Sequence, residues 1–391
     1  MPPSFLKIAY SGEKGPVFWL ALRTSILTVL TLGIYRFWAK TRLRRYYWSA
    51  IRPGGSPLEY VGDPLEKLLG FLVAVVFMAF YIGIVNLILM YFSFALFNAN
   101  FAAYGLSFLG LTPIIFFAQY RARRYILART RWRGIRFGLE PGAWGYSWRA
   151  MLHWALAICT LGLTWPLTTL WLEKYRVSRT FYGDQGFVQG GSKWMLFGAM
   201  RHVYYGLGLT LIATAMTGLY ENPAWLMVYL LSLPWLIYGW AYWRAESFKR
   251  MTEAKEVGEL RFTAKPRPWR IIGIYALGGL MMNIAMSGVF MVAFILVAVV
   301  AGTVDLDTID LETLDPATTA LIPGALLVYF LLIILTRAMT HAWITLPLAE
   351  HFSEVTELTN TQNIAQIKQR DRDEFAEAEG FAEALDVGAA I

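Results

Sequence analysis

Long apolar stretches alternate with short basic ones along the chain. Leu68–Tyr120 carries no charged residue, His202–Trp243 carries only Glu221, and Ile271–Thr336 is charged only in an acidic cluster near its middle. A membrane-spanning helix needs about 20 mostly apolar residues, so each stretch suits two helices and a turn. Asn98-Ala-Asn100, Glu221-Asn222-Pro223 and the acidic loop Gly302–Ala317 mark the turns. The pattern predicts three transmembrane hairpins: about 68–97 with 101–120, about 197–219 with 223–243, and about 271–301 with 318–337.

Two shorter apolar segments do not fit that count. Ser25–Tyr35 lies between Arg23 and Arg36, and its core of about 11 residues covers roughly half of a 30 Å hydrocarbon layer. Ala150–Leu172 is long enough to span, but Arg149 precedes it and Lys174, Arg176 and Arg179 follow it. A single crossing would put one basic flank outside and invert every later loop. Both segments are therefore expected to enter and return, or to lie in the interface. Gly33 in the first, and Gly162 with Pro166 in the second, supply the break. Thr31-Leu32-Gly33-Ile34 and Thr160-Leu161-Gly162-Leu163 repeat each other. The hairpins also end alike, at Tyr120-Arg121-Ala122, Trp243-Arg244-Ala245 and Thr336-Arg337-Ala338, and each second helix holds a proline: Pro113, Pro234 or Pro323. Such internal repetition is a mark of pseudo-symmetric membrane proteins.

The expected fold is thus an all-α integral membrane protein of three transmembrane hairpins (six spans) plus two re-entrant or interfacial TLG helices. It is one polytopic domain over 1–391, with sub-units 17–120, 145–245 and 270–345. An acidic cytoplasmic tail, read as helical, occupies 353–391. Composition agrees: 57% of the 391 residues are hydrophobic and 16% charged, where a soluble domain carries about 25% charged residues. The net charge of +8 records orientation. Basic residues fall between the hairpins and not at their tips, which predicts a multi-pass protein with both termini cytoplasmic. They do not line a soluble face, so a nucleic-acid partner is not expected. One cysteine, Cys159, excludes an internal disulfide.

Three blocks of sequence carry a family likeness. TLGIYRFWAKTRLRRYYW with LEYVGDPLEKLLGF, then RYILARTRWRGIRFGLEPGAWGY with TLGLTWP, and finally IAQIKQRDRDEFAEAEGFAEALDVGAAI resemble in order the signatures of the YjgN family. In the last third the family's further TLGL segment is replaced by ITLPLAEHF. The resemblance implies a bacterial inner-membrane protein containing a domain of unknown function. It implies no activity and no catalytic residues.

Signatures of enzymes are missing from the sequence: no phosphate loop ending in Gly-Lys-Ser/Thr, no Gly-x-Ser-x-Gly elbow, no HExxH, no CxxC. The chain is therefore not expected to be an enzyme, and no cofactor or metal is expected. Arg121, Arg244 and Arg337 hold equivalent positions. They are candidates for a ring gripping an anionic lipid headgroup or solute, or are ordinary anchors snorkelling to phosphates. Asn86, Asn283, Thr31, Gly33, Thr160, Gly162 and Pro166 are candidates for lining a pathway or for helix contacts. Small residues at every fourth position, as at Gly279, Asn283 and Ser287, suit close packing within the chain or a homo-oligomer contact. Expected partners are anionic headgroups at the basic loops. Re-entrant backbone is tolerated at membrane depth only beside protein or a water-filled cavity. That favours a transport or channel-like role for a small or amphipathic solute. The alternative is a non-transporting scaffold that binds anionic lipid and a protein partner.

Overall fold

The computed structural model describes residues 5–97, 100–301 and 316–370. Helices and short strands alternate along it. The strands are β1 (Phe5–Tyr10), β2 (Ile51–Pro53), β3 (Leu58–Tyr60), β4 (Thr130–Trp132), β5 (Ile135–Leu139), β6 (Thr180–Tyr182), β7 (Gln185–Gln189), β8 (Lys255–Val257), β9 (Leu260–Ala264) and β10 (Thr356–Thr359). Between them run α1 (Lys14–Leu30), α2 (Arg36–Ala50), α3 (Pro64–Phe97), α4 (Asn100–Ala128), α5 (Ala143–Cys159), α6 (Trp165–Val177), α7 (Phe197–Tyr220), α8 (Tyr229–Glu253), α9 (Pro268–Ala301), α10 (Pro316–Met339) and α11 (Leu346–Glu354).

The all-α expectation is overturned. The basic linkers between apolar helices are not loops: they pair into a ten-stranded antiparallel sheet in the order β2-β1-β10-β9-β8-β7-β6-β5-β4-β3. The two edge strands, β2 and β3, are neighbours in the chain, so the sheet curls into a nearly closed barrel. Six spans are not supported either. Among the described residues, five helices are long and apolar enough to cross a membrane: Pro64–Phe92, Phe197–Tyr220, Pro223–Glu253, Pro268–Ile295 and Pro323–Glu354. Absence of charge marks a stretch as apolar, but it reveals neither how much of it one helix uses nor what the charged remainder folds into.

Tight turns build the sheet. Trp132 pairs with Ile135 across Arg133-Gly134, Tyr182 with Gln185 across Gly183-Asp184, and Val257 with Leu260 across Gly258-Glu259. Arg133 and Gly134 both have positive φ, +51° and +78°, the geometry that matches strand twist in a two-residue hairpin. One face of the strands is apolar. Trp132, Tyr182, Val257, Leu260 and Leu358 form a buried cluster, joined by Leu6, Ile8, Leu58, Ile135, Phe137, Phe187 and Phe262. The Tyr182 hydroxyl donates to the Trp132 carbonyl at 3.0 Å, and burial pushes this phenol up to about 12. Ile364 and Ile367 of the segment after β10 pack on the same cluster. Residues 356–366 are thus a strand and a 3-10 turn where the sequence pattern had suggested a helical tail. The rest of that tail, 371–391, lies outside the described residues, as do the tip residues 98–99 and the acidic loop over 302–315.

The chain divides into two compact units. The first is Met1–Ser11, Trp48–Trp269 and Phe352–Ile391, and it holds the whole sheet with α3 to α8. Within it, α7 and α8 approach closely. A side chain at Gly239 would meet the His202 and Val203 backbone at 2.9 Å, and one at Gly206 would meet Leu236. Gly206 of α7 and Gly239 of α8 are therefore used for packing between these two helices.

The second unit is Gly12–Tyr47 and Arg270–His351. On α2, Phe37, Thr41, Arg44 and Tyr47 are buried, a spacing of three and four that defines one helix face. Tyr47 places its hydroxyl 3.2 Å from His341 Nδ1. His341 lies in a π-helical turn, Thr340–Thr345, linking α10 to α11. Gly278 of α9 is buried against the Trp343 carbonyl, which a Cβ would approach to 2.9 Å. Gly279, one residue on, would meet nothing. Asn283 and Ser287 are exposed, so the stripe they form with Gly279 is not the packed face of this unit.

Candidate functional site

Both TLG segments are turns between antiparallel helices. In the first, the Glu13 N–H donates to the Tyr46 hydroxyl at 2.7 Å, bringing the start of α1 to the end of α2. In the second, Thr168 Oγ1 donates to the His153 carbonyl at 3.1 Å, and Trp154 meets Trp165 edge-on at 4.9 Å. The two turns share one backbone design. Gly33 N–H reaches the Thr28 carbonyl and Gly162 N–H the Ala157 carbonyl, each at 2.7 Å. Both glycines have positive φ (+92° and +85°), as do Leu32 and Leu161 before them (+50° each). Glycine tolerates this region freely and leucine does not, so the turn accepts backbone strain to point a leucine outward. Leu32 is 94% exposed and Leu161 93%. The threonines serve the turn. Thr31 Oγ1 donates to Leu27 and accepts from the Tyr35 N–H, while Thr160 Oγ1 donates to Leu156 and contacts Thr164 Oγ1 at 2.8 Å. Pro166 is buried in the first turn of α6.

The base of α5–α6 is cationic and aromatic. Gly142 leaves room for Tyr175, whose hydroxyl donates to the Gly142 carbonyl at 2.9 Å. Arg179 stacks over the Tyr175 ring at 3.8 Å and Arg149 lies 4.9 Å from it. Tyr120 packs against Tyr146 and Tyr175, at 5.5 and 6.0 Å, and donates to the Glu140 carbonyl. Trp144, Trp148 and Trp171 are exposed around the base, as expected of side chains at a headgroup boundary.

Behind this base lies a charge cluster that spans several elements. Glu173 of α6 receives Arg123 of α4 at 3.4 Å, Arg176 of its own helix at 2.7 Å and Lys255 of β8 at 3.8 Å. Burial alone would raise the Glu173 carboxyl; the three cations outweigh burial and hold it at about 2. Gln189 of β7 stands opposite Lys255 in the sheet register and is 2% exposed. Its Nε2 donates to the Met251 carbonyl at 3.0 Å, while its Oε1 has no partner. Sequence reasoning missed this cluster because its members come from four elements far apart in the chain. Arg176 stood out with Lys174 and Arg179 as a basic flank, and Arg123 and Lys255 only as members of the basic segments between the hairpins.

The arginines singled out by position are divided between the units. Arg121 and Arg244 lie in the unit that holds the sheet, Arg337 in the other. Arg121 sits 5.7 Å from the Phe117 ring and Arg244 5.3 Å from the Trp240 ring, each over the aromatic one turn earlier. Arg337 is exposed in the last turn of α10. Asn283 is exposed and donates to the Gly279 carbonyl of its own helix at 2.9 Å. Asn86 lies on α3, and its side chain is outside the described residues.

Apolar helices strung between the strands of one basic sheet define an integral membrane protein. The chain belongs to the family described as bacterial protein of unknown function (DUF898), which matches residues 5–384. It is similar to the inner membrane protein YjgN of Salmonella typhimurium, with 28% identity over 202 residues. That match covers 49% of this chain and 48% of the relative, so the chain matches about half the length of that protein. No solved structure matches the chain. The relative and the apolar helices together make this an inner-membrane protein.

Proposed function

We propose that the protein moves an anionic amphiphile at the cytoplasmic leaflet of the inner membrane, as a non-enzymatic transport or channel-like protein. One observation carries this reading: α5–α6 pairs an apolar tip with a cationic base. From Arg149 to Cys159 the helix rises about 15 Å, one leaflet of a hydrocarbon layer of roughly 30 Å. Ile158, Leu161 and Leu163 are exposed at the tip, while Arg149, Arg176 and Arg179 surround Tyr146 and Tyr175 at the base. An anionic lipid has the complementary order, with charge at the surface and chains within.

The sheet supports the orientation. α5–α6 leaves β5 and returns to β6, and these strands pair, with Phe137 opposite Tyr182. The hairpin therefore ends on the side where it starts. The basic residues of the strands support assigning that side to the cytoplasm. Anionic headgroups at the basic base are then the natural partner.

The test is reconstitution in liposomes, with dithionite quenching of a fluorescent anionic lipid and a flux panel of ions and small anions. Exposure of inner-leaflet lipid, or flux of an anion, supports transport. A folded protein that moves neither overturns it in favour of a membrane scaffold. One observation favours that second reading: residues 361–370 form an ordered strap on the sheet. Arg370 contacts Glu140 at 3.6 Å and stacks on Phe181, and the Lys368 N–H meets Asp184 at 3.3 Å.

A further inference from the structure

We propose that Arg123, Arg176 and Lys255 form a phosphate site, filled by a free phosphate or by the phosphate of a lipid headgroup. The site lies where α4 and α6 meet β7 and β8. It rests on the reading that the ligand is an anionic amphiphile, and it names the group that would be held.

Charge is the first argument. Among the described residues, Glu173 is the one carboxylate within ion-pair range of these three cations. One carboxylate among three cations leaves two positive charges uncompensated. A structural clasp between α6 and the sheet would need a single cation on Glu173. The excess has an internal cost. Burial, with Arg123 and Arg176 close by, pushes the Lys255 ammonium below its ordinary value even though Glu173 pulls it up. A bound phosphate, as a dianion when free or a monoanion in a phosphodiester headgroup, would relieve this repulsion.

Geometry is the second argument. Lys255 sits 3.8 Å from Glu173, beyond hydrogen-bond range, and Arg123 makes one contact with it at 3.4 Å. Most of their donors are therefore not spent on Glu173. The Arg176 Nε–H is buried and has no acceptor. The three cations keep 24–31% of their side-chain surface open, while Glu173 keeps 14%. Each cation is thus more exposed than the carboxylate they share.

The third argument is Gln189. Its unpartnered Oε1 is deeply buried, on a residue that stands opposite Lys255 in the strand register. Directly opposed residues of an antiparallel pair share one face of the sheet. A phosphate satisfies both kinds of orphan at once. Its oxygens accept from Arg176 Nε, Arg123 and Lys255, and a hydroxyl donates to Gln189. That hydroxyl belongs to the phosphate itself in free phosphate and to the headgroup in a phosphoglycerol. Arginine forks are suited to such oxygens.

The experiment uses the full chain purified in a non-ionic detergent. Thermal stability is followed against inorganic phosphate, with chloride at equal ionic strength as control. The same protein in nanodiscs is compared on phosphatidylglycerol and on phosphatidylcholine. Protection by inorganic phosphate identifies a free-phosphate site; protection by phosphatidylglycerol alone identifies a headgroup site. Arg123→Gln and Lys255→Met are expected to weaken binding at least tenfold, and Lys265→Gln, an exposed lysine on a neighbouring segment, to leave it unchanged. Glu173→Gln removes the competing carboxylate and is expected to tighten binding, an outcome a purely structural clasp would not produce. Absence of protection from both probes on the wild-type protein overturns the proposal. So does protection that survives in Arg123→Gln and Lys255→Met, or weaker binding by a folded Glu173→Gln. Lipid movement without phosphate protection removes this site and leaves the transport reading standing. Protection without lipid or anion movement does the reverse.

Discussion

Leu161 occupies a left-handed backbone position and is almost fully exposed. That is an expensive arrangement in water and a sensible one in hydrocarbon, because lipid chains solvate a leucine as well as a protein core does. Bimane attached at Leu161→Cys in a Cys159→Ser background is therefore expected to be quenched by doxyl lipids. The same probe at Glu259→Cys is expected to be unaffected, and equal quenching at both positions would contradict a buried tip. Glu173 sets a second prediction. Its folded-state value is lowered from 4.5 to about 2, so its ion pairs stabilise the fold fully above the unfolded value. That contribution disappears as pH falls from about 4.5 towards 2. Melting temperature in detergent should drop over this window, and Glu173→Gln should lack that part of the drop while starting lower at neutral pH.

The β-hairpin is the element that matters most and shows least in the sequence. Each is short, and its solvent-side positions carry arginine, lysine or glutamate, as in TRWRGIRFGL and KEVGELRFTA. Between long apolar helices such segments look like positively charged loops. The physical signal was present: Arg133-Gly134, Gly183-Asp184 and Gly258-Glu259 each sit between residues of alternating polarity, the pattern of a tight hairpin. By contrast, the helix breaks at Gly33 and Gly162 were legible, because a glycine inside an apolar run has few other uses. The Glu173 cluster was not legible, since only the sheet register brings Lys255 and Gln189 to α6. A prediction belongs to this scale too. Gly183 has φ +57°, and a Cβ there would collide with the Lys368 carbonyl oxygen. Gly183→Ala should therefore cost about 1–3 kcal/mol through strain at that backbone position. Gly186→Ala, where a Cβ meets nothing, should change chemical denaturation in detergent little.

For the whole molecule, strand pairing constrains which side of the membrane each segment occupies. β2 pairs with β1, β4 with β3, β6 with β5, β8 with β7 and β10 with β9. Every helical excursion between paired strands must return to the side it left, whether its helices cross or dip. Single cysteines at Ser56, Arg133, Asp184 and Glu259, again in the Cys159→Ser background, are thus expected to react with an impermeant maleimide from one side only. One turn labelled from the opposite side would break the argument. The pairing of β1 with β10, which sets Phe5 opposite Thr359, bears on biogenesis. A ribosome delivers the first strand long before its last partner exists, and all the apolar helices must pass through the insertion machinery in between. One edge of β1 must wait unpaired at the membrane surface for that whole interval. Completion of the sheet is therefore a report that every preceding insertion has ended on the correct side. A chain with one helix left behind would keep an open strand edge, a feature that quality-control proteases could recognise.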